Sequence, residues 1–552
     1  MFFAIDEVSN LHIPEQGSGH AELNIPVALK RVTALMVKEP VWTFVLSTKK
    51  PPAFLAPSIK SDSSRRMSTA ELVRVRPFFA FTFSIGERNK MRNDRDAQLK
   101  MPLAKFSLAA NICKTGRPLW QTYGTNGEDG HISEQGLRSM VMQKLLDKGD
   151  GEPNCTSTTH CLALLSSRLT LDLVFNSEGS ADLEETLIHR NLRVISDIHP
   201  TTGYAKSCWL EEPIISEAAS HWFRLDTLKK WDAVVTKCYN NCFIVGMVDR
   251  GRTGELCGQI VFLVGRDLLF RSNEQGSTFM SNDEEHLRCA GLFTLKELLT
   301  STFTHSQLLL TTPAQMYTAK GLVGDTKITV TSHLAHGYLN YNHFVDTSET
   351  LSAATLPDFL HGLLLHQAGA QLRPGQAGLD LLIPVYCGNP NEPFDKSKLG
   401  AIAIQMKDRD KKSQWHLDSK KLGDSLRAII PAGMPVLAIM LEMGLDTGNC
   451  RKPVEATRSF RKTIFAFRIC DQGTKTYKYM TKDFQDTLRR VLDFTQYEST
   501  DIQAKISAGN VPFKFHSFAD RFPEDEEEEE EKGIPAESSG AESSEDGDSD
   551  DE

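Results

Sequence analysis

Three residues in the carboxy-terminal third have the types and spacing to do chemistry together: Asp380, Gln405 and Lys407. Asp380 offers the hard anionic oxygen that a magnesium ion prefers. Gln405 and Lys407 stand two apart in Leu399-Gly-Ala-Ile-Ala-Ile-Gln-Met-Lys407. On a strand both side chains therefore leave one face while Ile404 and Met406 leave the other. A divalent ion that polarises a phosphoryl oxygen and acidifies water, beside an ammonium that steadies developing charge, is the equipment of phosphodiester hydrolysis. The pattern predicts Asp380, Gln405 and Lys407 as catalytic, with Asp380 and Gln405 as ligands of Mg2+.

The elements that must position this set are readable around it. Leu356, Phe359, Leu360, Leu363, Leu364 and Leu365 give a helix buried on one side. Leu379 to Tyr386 reads as a strand, the Gly-Asn-Pro-Asn-Glu-Pro stretch 388–393 as a turn, and Leu399 to Lys407 as the antiparallel partner. A helix from about Leu417 to Ile430 and a strand from Pro435 to Glu442 follow. A first strand belongs near Gln371, and Asp325 to Ser332 predicts another ahead of it.

A second candidate set lies at the other end. Phe2-Phe3-Ala4-Ile5 runs into Asp6-Glu7, and Val41 to Leu46 runs into Ser47-Thr48, with a helical stripe of Val27, Leu29, Val32, Ala34, Leu35 and Val37 between them. Strand, helix, strand predicts a parallel α/β layer whose polar strand ends share one edge, where such sheets bind ligands. Between the two ends, residues 100–310 read as mainly helical. The anchors are Ser166 to Leu173, Glu212 to Trp222 and Gly254 to Leu263, with Glu212-Pro213 marking a helix start.

Composition bounds the rest. A chain of 552 residues, 40% hydrophobic and 24% charged, exceeds one core and suits two to four globular domains. No run of eighteen apolar residues and no signal-peptide pattern occurs, so no membrane partner is expected and the place is intracellular, nuclear or cytoplasmic. The closest cysteine groupings, Cys155-x4-His160-Cys161 and Cys238-x3-Cys242, lack a matching pair at zinc spacing and predict buried reduced thiols. Residues 523–552 hold sixteen acids and one lysine, so the formal charge of −10 leaves the remaining body at +5. That body suits DNA or another nucleic acid as partner, while the tail reads as disordered and solvating, with a basic partner or phosphorylation as its alternative.

With these residues in view, Gly378-Leu-Asp-Leu-Leu-Ile-Pro-Val385 followed by Ala401-Ile-Ala-Ile-Gln-Met-Lys407-Asp408 resembles the Asp…(Glu/Gln)-x-Lys signature of PD-(D/E)XK nucleases. It is especially similar to fungal, transposon-associated proteins of the Crinkler and retrotransposon-hot-spot type, which join a P-loop NTPase to such a nuclease. Val248-Asp249-Arg250-Gly251, Glu212 to Ala219 and His343-Phe344-Val345 look like further stretches of those proteins. The resemblance implies an α/β multidomain chain. Its parts are half of a P-loop NTPase-like core at 1–95, a mainly helical region at 96–315, a restriction-endonuclease-like domain at 320–480, an extension at 481–522 and the acidic tail at 523–552. It also implies a Walker B-like role for Asp6 and Glu7 and a γ-phosphate-sensing role for Ser47. No G-x-x-x-x-G-K-[ST] occurs, so the loop that wraps phosphates is missing and ATP binding is not expected. Glutamine in place of the more frequent glutamate weakens metal binding. An upstream helix often supplies a further acid in such sites, for which Asp358 and the distant Glu255 are the candidates. Three functions stay open: a magnesium-dependent nuclease, a non-enzymatic interaction protein that keeps the fold without the chemistry, or a regulatory NTPase action in trans with a partner that supplies the phosphate loop.

Overall fold

The computed structural model describes Phe2–Ile5, Trp42–Val45 and, with internal gaps, residues 101–493. Strand β1 (Phe2–Ile5) pairs in parallel with β2 (Trp42–Val45), Phe2 opposite Trp42 and Ile5 opposite Val45. The parallel pairing agrees with the layer expected from the sequence. Asp6, Glu7, Ser47, the helical stripe at 27–37 and the acidic tail lie outside the described residues.

The middle region is helical, as expected, with α1 (Glu134–Leu146), α2 (Thr158–Ser166), a small antiparallel sheet, α3 (Pro213–Arg224), α4 (Thr227–Cys238) and α5 (Thr253–Glu274). Pro213 occupies the first turn of α3, where its missing N–H costs nothing. Two readings need correction. Ser166 to Leu173 is not helical: α2 ends at Ser166 and the chain then enters β3 (Leu173–Val174). With β4 (Val194–Ile198) and β5 (Ala205–Cys208), that strand forms a sheet in the order β3-β5-β4 inside the region read as helical.

After α5 come β6 (Phe293–Thr294), α6 (Leu295–Thr302), β7 (Gln315–Thr318), β8 (Gly321–Leu322), α7 (Val330–His333), β9 (Tyr338–Leu339) and β10 (His343–Asp346). The strand expected at Asp325 to Ser332 is not formed where the chain is described. Thr329 and Ser332 instead make a reciprocal capping box that starts the single turn α7.

The carboxy-terminal unit follows as α8 (Leu356–Leu365), β11 (Ala368–Gln371), β12 (Leu381–Tyr386), β13 (Leu399–Lys407), a helical segment at 426–429, β14 (Val436–Glu442), β15 (Val454–Ser459), β16 (Ile464–Cys470) and α9 (Lys482–Asp493). The strands lie in the order β10-β11-β12-β13-β14-β16-β15-β7-β8, with β9 and β6 branching from β12. β11, β12 and β13 are antiparallel neighbours, and β13, β14 and β16 run parallel. This is a mixed sheet, and β11 supplies the first strand expected near Gln371.

The sheet is buried on both faces, which is why its central strands are apolar throughout. Ile402, Ile404 and Met406 share one apolar cluster with Leu381, Ile383, Leu437, Ile439 and the helices of the middle region. α5 lies close on that face: a Cβ placed on Gly258 would stand 2.6 Å from the Met406 sulfur and 3.3 Å from Leu381. Ala401 and Ala403 share the other cluster with Leu382, Ala438, Met440, Ala466 and the leucines of α8. One face is therefore held by the middle helices and the other by α8 and the 426–429 turn.

Candidate active site

Alternation along β13 carries Leu399, Ala401 and Ala403 into the α8-side cluster and so puts Gln405 and Lys407 on that face. Asp380 sits just ahead of β12, two residues after Gly378, whose φ of 77° is a left-handed turn that glycine takes without strain. Three backbone bonds hold Asp380. Its N–H donates to the Ile404 carbonyl at 2.9 Å, its carbonyl accepts from Leu372 at 2.8 Å, and its side-chain Oδ2 accepts the Met406 N–H at 2.6 Å. The residue thus grips β13 on both sides of Gln405. Burial pushes the Asp380 carboxyl above its ordinary range, opposed by the Met406 N–H and then by the Lys407 charge.

Gln405 is buried, 8% exposed, and among the described residues its amide Oε1 has no hydrogen-bond partner. An orphaned buried acceptor costs about 1–3 kcal/mol, so its retention needs a reason. Lys407 is half-buried at the end of β13. The three residues picked from the sequence therefore share one face and one end of the sheet.

The fourth-acid candidates do not join them. Asp358 is exposed in the first turn of α8 and pairs with Lys396, in the connection that leaves the far end of β12 from Asp380. Glu255 lies on α5, which covers the opposite face through Gly258 and Met406. Among the described residues no three His, Cys, Asp or Glu side chains come together to hold a metal ion. Asp380 and the orphaned Gln405 oxygen still fit magnesium, an ion often bound through one or two protein oxygens with water and substrate phosphates completing the shell.

The register exposes neighbours that the sequence reading passed over. Gln405 stands opposite Met440, Met440 opposite Arg468 and Arg468 opposite Glu455; one row further, Lys407 stands opposite Glu442 and Glu442 opposite Cys470. Glu442 is 2% exposed, with Arg468 Nε at 3.7 Å and the Cys470 thiol donating at 3.3 Å. Arg468 also reaches Glu455 at 3.5 Å. The available signal was the strand-ending Glu442, which takes the core-side parity of β14 rather than solvent.

A second polar cluster, fully buried, ties the middle helices to the sheet. Asp267 takes both guanidinium nitrogens of Arg168 at 3.0 and 3.1 Å, Ser220 at 2.9 Å, the Trp231 indole at 3.0 Å and Arg266 at 3.3 Å. Arg168 Nε donates to the Asn342 carbonyl at 2.6 Å, next to β10. Arg266 and Arg224 share Glu217 at 3.1 and 2.7 Å. Burial would raise the Asp267 carboxyl, but Arg168, with Arg266 and Arg224 behind it, outweighs burial and holds it below the usual range. The cysteines of the two groupings are free thiols: Cys161, Cys238 and Cys242 are buried and Cys155 is half-buried. Burial pushes Cys161 and Cys242 up to about 12, as suits inert thiols.

Comparison with protein-family models, with curated proteins and with solved structures finds no match. Among the described residues no helix is long and apolar enough to cross a membrane.

Proposed function

We propose that residues 355–445 form a divergent PD-(D/E)XK-type site that hydrolyses phosphodiesters of DNA or another nucleic acid with magnesium. The observation that carries this reading is the orphaned Gln405 oxygen beside an Asp380 locked to the backbone on both sides of it. The order helix, three antiparallel strands, helical segment, parallel strand supports it, as it follows the order of elements read from the sequence around Asp380 and Lys407. Bound there, magnesium supplies Lewis-acid polarisation of the phosphoryl oxygen and a more acidic water. Asp380 and Gln405 hold the ion through their side-chain oxygens. Asp380 cannot swing away, because its carboxylate is part of the β12–β13 hydrogen bonding. Lys407, projecting from the same face two residues on, steadies the charge that develops on the attacked phosphate.

Partial burial of the site keeps its charges stronger than they would be in open water.

The test is cleavage of a labelled single- and double-stranded DNA panel by the purified chain with Mg2+. Cleavage that needs the metal and disappears in Lys407→Ala supports the reading; cleavage indifferent to that substitution refutes it. A second reading, binding without turnover, is favoured by one observation: among the described residues no three His, Cys, Asp or Glu side chains gather to hold a metal, and residue 405 is a glutamine where the resemblance expects the more frequent glutamate. Nucleic-acid binding with no cleavage in any divalent metal would select that reading.

A further inference from the structure

Strands β10, β11, β13, β14 and β16 all run the same way, because β10 pairs with β11, β13 with β14 and β14 with β16 in parallel, while β12 runs against both β11 and β13. Their carboxyl ends therefore share one edge of the sheet with the amino end of β12, where Asp380 sits. Sheets with parallel strands take their ligands at such an edge. The orphaned Gln405 oxygen, buried on the strand next to Asp380, is an independent sign that this edge is built for a ligand.

The edge carries a basic residue that the site as described does not use. Leu372 donates its N–H to the Asp380 carbonyl at 2.8 Å, so Arg373 follows on the β11 flank of Asp380 as Lys407 stands on the β13 flank. With neighbouring strands about 4.8 Å apart, the two flanks are about 10 Å apart along the backbone. Arg373 is exposed, and its Nη1 donates to Oγ1 of Thr350, in the connection between β10 and α8, at 2.9 Å. Thr350 precedes Leu351 of the α8-side cluster, so this bond turns the guanidinium toward the face that bears Gln405 and Lys407. Among the described residues no carboxylate pairs with Arg373. A neutral hydroxyl fixes the plane of a guanidinium without cancelling its charge, and it leaves Nε and Nη2 for the two parallel bonds by which arginine grips a phosphate. Cations on opposite flanks of one carboxylate suit a strand whose phosphates recur along its length, rather than an isolated phosphate.

We propose that Arg373 holds a phosphate next to the one at Lys407, so that the site takes a polynucleotide strand laid across the β11–β13 edge rather than a small phosphodiester. This rests on the reading of Asp380, Gln405 and Lys407 as a phosphodiester site. Thr350 orients the guanidinium and acts on the strand only through Arg373.

The experiment is fluorescence-anisotropy titration of labelled single- and double-stranded DNA oligonucleotides with the full chain over a range of salt, with EDTA present so that nothing is cleaved. Arg373→Gln is expected to weaken binding about tenfold at low salt and to reduce the slope of log K against log salt by about 0.7 for single strands or about 0.9 for duplex, the share of one phosphate contact. Arg373→Lys is expected to keep the parent's slope and lose only about threefold in affinity, because the charge remains while the planar fork is gone. Since Arg373 is exposed, both variants fold, as circular dichroism checks. A merely structural role would lower affinity without removing one phosphate's share of the slope. An unchanged slope in Arg373→Gln, or an Arg373→Lys that binds no better than Arg373→Gln, overturns the proposal and leaves the site reading intact. A parent that binds no oligonucleotide also overturns it, and cleavage of the DNA panel that needs Mg2+ and Lys407 then decides separately whether the site reading stands.

Discussion

Replacing Asp267 with Asn tests the packing account on which the site's position depends. The exchange keeps the shape of the side chain but removes the charge that faces Arg168 and Arg266, both fully buried. The Arg168 pair is bidentate, and Ser220 and the Trp231 indole donate to the same carboxylate. Breaking one partner of such a buried pair costs about 3–5 kcal/mol, because the remaining cation is left uncompensated. A domain holds only about 5–15 kcal/mol in total, so the loss is a large share of it. With a urea slope of about 2 kcal/mol per M, the unfolding midpoint should fall by roughly 2 M. Circular dichroism and tryptophan fluorescence read in parallel check this, since Trp231 itself bonds to Asp267. Adding Arg168→Met should recover part of the loss by removing the stranded charge, although Arg168 also gives up its bond to the Asn342 carbonyl. A midpoint drop worth less than about 1 kcal/mol would refute the view that this network locks the middle helices to the sheet.

Two further outcomes follow from burial. His343 is pushed down to about 3 by burial and His361 to about 4 by burial and then by Lys396. Between those values and the unfolded pKa of about 6.5 the unfolded chain holds more protons, so stability rises with pH in that window and is lost as pH falls. Going from pH 7.5 to 5 should cost about 2 kcal/mol per histidine, and His361→Gln should flatten the urea-midpoint profile by about 1.4 kcal/mol per pH unit; an unchanged slope counts against it. Gly265 lies where α5 meets α6, and a Cβ there would stand 2.1 Å from Oγ1 of the fully buried Thr302. Gly265→Ala should therefore lose about 1–3 kcal/mol to overpacking despite a helix-propensity gain of about 1 kcal/mol. Calorimetric melting should show a lower Tm that Thr302→Ala largely restores; a raised Tm in the single variant would contradict the close approach.

The parts of the fold that were legible are those where a local rule coincides with the tertiary environment. β13 reads from Leu399 to Lys407 because glycine-alanine-isoleucine alternation suits a strand buried on both faces, and α8 reads because its leucines repeat at helical spacing. Asp380 and Gln405 came together because a hairpin brings its ends into register without needing any distant contact. The stretch before α7 failed for the opposite reason: Ile328-Thr-Val has strand propensity, but the Thr329–Ser332 side-chain bonds favour a helical start. Glu442 was hidden because a glutamate ending an apolar strand looks solvent-facing until the parallel register places it opposite Lys407. The Arg266-Asp267 pair did leave a trace, being charged residues set between Val264 and Leu268 in a long apolar helix. Its partners lie 47 and 99 residues away, at Ser220 and Arg168, a separation no local pattern reveals.

The central claim is a divalent-metal site at Asp380 and Gln405, and calorimetric titration of Mg2+ or Mn2+ into the full chain, parent against Asp380→Asn, tests it most directly. The account predicts saturable binding in the parent that disappears in the variant while its circular dichroism spectrum is unchanged. Equal heats from both folded proteins would contradict it.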